Sequence, residues 1–198
     1  MTTVLLIGFF LFAVLDWVAV GNEWKEGEYV AKPATLAFLL LYAAAQPDAT
    51  WFLIAALAFS LLGDVYLMLP EKMFVAGLSA FLVGHIAYLF AIDAGMLARV
   101  GWLAVIVLLS SPLAFKILSS ARPDSVRSPV AVYMLAISAM VASAFASGSL
   151  TAVVGSLLFY GSDAMIAWNR FVAPFAAARL AIIVTYHLGQ LALVVALT

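Results

Sequence analysis

The sequence predicts an all-α, polytopic membrane protein: a bundle of eight transmembrane helices forming a single integral membrane domain over residues 1–198. Three observations predict it. Apolar residues make up 67% of the chain and charged residues only 10%, where a soluble domain carries roughly 45–50% and 25%. Apolar runs long enough to cross a bilayer recur between short polar breaks. The basic residues fall almost entirely on alternate breaks. Ten acids against nine bases leave a net charge of −1, so there is no basic excess to hold nucleic acid. The same composition excludes a soluble enzyme and a disordered chain. Cysteine is absent, which removes disulfides, iron–sulfur clusters, thiolate zinc sites and cysteine nucleophiles.

The expected spans are 3–20, 30–46, 50–69, 73–92, 100–118, 129–147, 150–168 and 175–197. The first lacks a positive leader and a small-residue cleavage site, so it reads as a retained helix rather than a signal peptide. Gly21 to Glu28 is the most polar stretch and separates the first span from the second. Gln46-Pro47-Asp48, Pro70-Glu71-Lys72, Ala121-Arg122-Pro123-Asp124 and Asn169 to Pro174 carry turn or breaker residues. The weakest break is the uncharged Ser147-Gly148-Ser149. Helices are required because an open sheet leaves backbone groups unpaired in lipid. Trp17, Trp24, Trp51 and Trp102 lie near span ends, as an interfacial belt does. Met68, Met134, Met140 and Met165 read as packing residues.

Lys25, Lys32, Lys72, Lys116, Arg122, Arg127, Arg170 and Arg179 fall on one side, and Arg99 alone on the other. The positive-inside rule puts that basic side in the cytoplasm and both termini outside it. A parallel four-plus-four repeat is also suggested. Lys32-Pro33 answers Arg127-Ser128-Pro129, Gly63-Asp64 answers Ser162-Asp163, and His85 with Tyr88 answers His187 with Gln190.

An ionisable group inside a span costs about 2.5–3.5 kcal/mol on insertion scales and is a functional candidate by default. At about 1.5 Å per residue, Asp64 lies roughly 9 Å and Asp163 roughly 10 Å from the basic end. Asp16 lies nearer that end and is expected to snorkel or to pair with Lys116. His85 and His187 count out to roughly 20 Å, about 10 Å beyond the acids. Two His and two Asp make a zinc set by type, but that separation disfavours one metal site, and no cofactor is expected. Two carboxylates in one poorly solvated cavity cannot both ionise easily, so one keeps a proton and serves as acid beside an ionised base. His85, Tyr88, Tyr186, His187 and Gln190 are candidate cavity-lining hydrogen bonders. No nucleophile elbow, P-loop or dinucleotide glycine pattern occurs.

Gly63-Asp64-Val65-Tyr66-Leu67-Met68 and Phe81-Leu82-Val83-Gly84-His85-Ile86-Ala87-Tyr88 resemble one pair of signature helices. Gly155 through Asp163, with Asn169 and Phe171, resembles a second. With Lys32-Pro33, Tyr133 and Met140, these segments make the chain similar to the YhhN-like family, which includes the TMEM86 lysoplasmalogenases. The resemblance covers nearly the whole chain. It implies an intramembrane hydrolase that splits the vinyl ether of a lysoplasmalogen into a fatty aldehyde and a glycerophospho-alcohol. It carries acidic roles onto Asp64 and Asp163, and supporting roles onto Lys32, His85, Tyr133 and Asn169. The acidic connection Asn22 to Glu28 departs from the pattern.

The chemistry fits the residues. A vinyl ether takes a proton on its β-carbon, and the resulting oxocarbenium ion adds water. The protein must provide an acid, a negative charge and a base, which two aspartates can do. The lysolipid phosphate is expected at Lys32, Lys116, Arg127 or Arg170. Partners are then lysophospholipid and membrane lipid, in a bacterial inner (plasma) membrane. The chief rival is a proton-coupled transporter or lipid flippase. It is disfavoured because no matched pair of spans is interrupted at mid-membrane by Gly or Pro. A zinc amidase is disfavoured by the histidine count, and a purely structural or sensory role by the buried acids in both halves.

Overall fold

The computed structural model describes residues 1–198 in backbone, and every side chain except that of Glu71. Eight α-helices follow in order: α1 (Thr2–Gly21), α2 (Lys25–Ala44), α3 (Trp51–Met68), α4 (Phe74–Ala91), α5 (Met96–Ser120), α6 (Arg127–Ser147), α7 (Leu150–Phe171) and α8 (Ala178–Leu197). No strand occurs among the described residues. Seven of the helices are long and apolar enough to cross a membrane, and the chain is an integral membrane protein. The eighth, α2, begins five residues earlier than hydropathy suggests. Its first turns hold Lys25, Glu26, Glu28 and Lys32. Helix propensity is indifferent to hydropathy, and these residues form a helix as readily as their apolar neighbours.

The helix ends have local causes. The weak break at Ser147-Gly148-Ser149 works because Gly148 takes a left-handed conformation, φ 74°, that closes α6. The Ser149 hydroxyl then accepts from the Ala152 N–H to start α7. Thr50 caps α3 in the same way through Leu53. Arg99, the one base on the far side, donates to the carbonyls of Leu89, Ile92 and Ala94. It therefore ties off the end of α4, where carbonyls lack helical partners.

Consecutive helices pair as α1–α2, α3–α4, α5–α6 and α7–α8. Contacts α2–α3, α4–α6, α6–α7 and α1–α8 close seven helices into a ring. α5 lies outside it against α6 and α7, and buries only Ile117. Where α7 crosses α8 the backbones touch. A Cβ at Gly189 would sit 2.9 Å from the Gly155 carbonyl oxygen and the Phe159 nitrogen. Small residues at such crossings let helices pack closely where lipid supplies no hydrophobic drive. The ring interior holds Leu36, Leu39, Leu57, Met140, Phe159 and Leu193, together with the polar groups described next.

Candidate active site

Asp64 stands one turn before the end of α3 and is 1% exposed. Lys32 of α2 places Nζ 3.2 Å from its Oδ1. The Tyr186 hydroxyl of α8 donates to its Oδ2 at 2.8 Å. Three helices therefore converge on one carboxylate. The ammonium compensates its charge in a setting where an unpaired carboxylate is costly.

Asp163, on α7, is gripped from two other helices. The Tyr133 hydroxyl of α6 donates to Oδ2 at 2.5 Å. His85 of α4 brings Nε2 to 3.1 Å from the same oxygen. His85 is fully buried and its Nδ1 has no partner among the described residues. The only polar contact of the ring is therefore the one its Nε2 makes with Asp163. Both bonds fall on Oδ2, which leaves Oδ1 free. Phe159 of α7, fully buried, packs edge-on against His85 at 4.7 Å and against Tyr186 at 5.2 Å between ring centroids, joining the two clusters.

Asp163 and Tyr133 also line a cleft to which α3, α4, α5, α6 and α7 all contribute. Its remaining wall is almost wholly apolar, with Leu67, Phe81, Ile117, Met134, Ile137 and Phe171 among the residues that form it. An apolar cleft with a few convergent polar groups has the form of a small-molecule site. The polar groups here can deliver a proton, place a negative charge and orient water beside an acyl-like chain.

The YhhN family matches residues 27–197. The chain belongs to the YhhN family. Human lysoplasmalogenase TMEM86B is 38% identical over 142 residues, covering 72% of this chain and 61% of the human protein. The rat protein of the same name is 34% identical over 172 residues, 86% of this chain and 72% of its own length. A lysoplasmalogenase from Mycobacterium tuberculosis is 31% identical over 83% of this chain and 69% of its own. The chain thus spans about three fifths of the human relative's length. No solved structure matches it significantly.

Within this YhhN-family chain, Lys32, His85, Tyr133 and Tyr186 all reach a carboxylate. The others go elsewhere. The Tyr88 hydroxyl donates to Gln190 Oε1 in the fully buried interior, away from the cleft wall. Asn169 accepts from the Phe175 N–H at 3.3 Å and braces the α7–α8 turn. His187 takes a hydrogen bond on Nδ1 from the Trp17 indole at 3.1 Å and faces Asp16 across 3.8 Å. Asp16 is accordingly sealed in the α1–α8 contact rather than snorkelling or pairing with Lys116, which is exposed on α5. Trp17 is half-buried one turn before the end of α1, and its indole is committed to His187.

The expected 10 Å gap between histidines and acids does not hold for His85. α4 begins at Phe74 and α7 runs to Phe171. Counted from those ends, His85 is eleven residues in and Asp163 eight, so they differ by roughly 4–5 Å along the axis. Side chains bridge that distance. Phe159 falls within the Gly155–Asp163 segment but takes no role of its own from the sequence, because an aromatic in an apolar run carries no positional signal.

Proposed function

We propose that this chain hydrolyses the vinyl ether bond of lysoplasmalogens, 1-alkenyl glycerophosphocholine or glycerophosphoethanolamine, to a fatty aldehyde and a glycerophospho-alcohol. One observation carries the reading: Asp163, held on one oxygen by Tyr133 and His85, lines an apolar cleft, and Asp64, outside the cleft lining, is joined to it through Tyr186, Phe159 and His85. The names of the human, rat and mycobacterial relatives support the same reaction.

The alkenyl chain lies in the cleft. Asp163 donates the proton on Oδ1, the oxygen free of other bonds, to the β-carbon of the vinyl ether. A C–H bond forms from the double-bond pair, and an oxocarbenium ion remains. The carboxylate left on Asp163 and the charge on Asp64 stabilise that cation in a water-poor setting. Water adds to the cationic carbon, and its proton returns to Asp163. The hemiacetal then breaks its C–O bond to glycerol, whose oxygen takes the hydroxyl proton, and aldehyde departs. Tyr133 and His85 position Asp163. Lys32 and Tyr186 position Asp64. The reaction needs no metal or covalent intermediate.

The distribution of bases supports an orientation with the Asp64 end of the bundle toward the cytoplasm and both termini opposite, in a bacterial inner membrane. All eight helices cross in this reading, α2 with its charged first turns at the interface.

The test is product analysis with purified protein in detergent. Aldehyde is expected from a 1-alkenyl lysophospholipid, with and without chelator, and none from the saturated 1-alkyl analogue. In D2O the aldehyde is expected to carry one deuterium on the carbon next to the carbonyl. Equal cleavage of the alkyl analogue, or aldehyde without that deuterium, overturns the mechanism.

A further inference from the structure

A second pocket, about 570 Å³, opens between the starts of α2 and α8 and the end of α3. Its lining is Lys25, Glu28, Tyr29, Leu67, Met68 and Arg179. We propose that this pocket binds the phosphate of the lysophospholipid headgroup through Lys25 and Arg179; the proposal rests on the hydrolase reading above.

Register places the pocket under the acids. Lys25, Glu28, Tyr29 and Lys32 follow the i, i+3, i+4, i+7 spacing of one helix face. Lys32, at the top of that face, ends on Asp64. Arg179 is seven residues before Tyr186 on α8, and Tyr186 donates to Asp64. Leu67 and Met68 are three and four residues past Asp64 on α3. Each helix that holds Asp64 therefore presents a pocket residue one or two turns nearer the basic end, roughly 5–10 Å away. Leu67 lines this pocket and the apolar cleft alike. A lysolipid with its vinyl ether at the carboxylates and its chain in the cleft would lay its glycerol past Leu67 and its phosphate here.

The chemistry of the lining suits a phosphodiester. Two cations and one carboxylate leave one net positive charge against the single negative charge of the phosphodiester, and Glu28 leaves an acidic group near the cationic end of the zwitterionic headgroup. Arg179 is held by an ion pair with Glu28, which fixes the guanidinium and leaves donors over. Lys25 has no ion-pair partner among the described residues and is available as a point charge. The Tyr29 hydroxyl donates to the Met68 carbonyl and fixes the wall between them. The bases expected to meet the phosphate are otherwise engaged or misplaced. Lys32 serves Asp64, Arg127 serves Asp124 and the Ala121 carbonyl, Arg170 stacks over Phe74, and Lys116 is exposed on α5, outside the helix ring.

The test compares a 1-alkenyl lysophospholipid with 1-alkenylglycerol, which lacks the phosphate. Lys25→Ala removes no ion pair and is expected to raise KM for the lysophospholipid about tenfold, the loss of one charge-assisted bond. Its kcat should stay level, as should its KM for 1-alkenylglycerol. Lys25→Glu should raise the first KM further, and Arg179→Lys should raise it while keeping the Glu28 pair. Aldehyde release with unchanged KM in Lys25→Ala and Lys25→Glu overturns the subsite alone. Inhibition by inorganic phosphate that Lys25→Ala abolishes, with no change in lysophospholipid KM, assigns the pocket to a free anion and also overturns it. No aldehyde from wild type with either substrate overturns the hydrolase reading and the subsite with it.

Discussion

His85 and Asp163 lie 78 residues apart in the chain, yet His85 Nε2 and Asp163 Oδ2 approach to 3.1 Å across the α4–α7 interior. Tyr133 reaches the same oxygen from α6. A donor lost from a carboxylate costs about 1.5–3 kcal/mol, or at least about tenfold in a rate. Tyr133→Phe and His85→Gln are expected to lower kcat by that factor with little change in KM, measured as steady-state aldehyde release. A purely structural role would lower the melting temperature and leave kcat per folded molecule intact.

The Lys32–Asp64 pair has a different signature. The Lys32 side chain is 14% exposed and that of Asp64 1%. Lys32→Met strands a buried charge and should cost about 3 kcal/mol of stability, the low end for such pairs because Lys32 touches the surface. Adding Asp64→Asn removes the stranded charge. The double variant is expected to melt above Lys32→Met alone in detergent, since an empty pair is cheaper than half of one.

Much of this was readable before any coordinates. The eight helices, their order and most of their ends follow from hydropathy and breakers, because lipid forces every backbone group into helical bonds. Asp64 and Asp163 stood out as buried charges. What was not readable is lateral. Hydropathy reports depth along a helix and says nothing of which neighbour a side chain faces. His187, the counterpart of His85 in the sequence pattern, turns to Trp17 and Asp16 instead of the cleft. Asn169 was singled out by resemblance, yet its side chain serves a turn. The start of α2 was misread because its polar first turns are helical without being apolar.

The α7–α8 crossing sets the frame on which Asp163 and Tyr186 meet their partners. Gly189→Ala would push a methyl to 2.9 Å from backbone atoms that cannot rotate away. A loss of about 1–3 kcal/mol is expected. Gly101→Ala on α5 meets nothing within 4 Å. It should be neutral or stabilising by about 0.5–1 kcal/mol, because helix-interior glycine carries an entropic penalty. Thermal melting in detergent compares the two.

Cleft volume should set chain-length preference. Leu113 lines the apolar wall from α5, the helix outside the ring, and Leu113→Trp fills part of the space from a helix that carries neither carboxylate. KM for long alkenyl chains is expected to rise severalfold more than KM for short ones, since each excluded methylene forfeits about 0.8 kcal/mol of burial. Equal effects across chain lengths would place the chain elsewhere.

The central claim is that Asp163 delivers the proton that starts the reaction. Its most direct measurement is the rate of aldehyde release from 1-alkenyl lysophospholipid by Asp163→Asn protein that keeps the wild-type melting temperature. The account predicts a fall of about a hundredfold or more, the size of a lost general acid. Aldehyde release at the wild-type rate from that folded variant would contradict it.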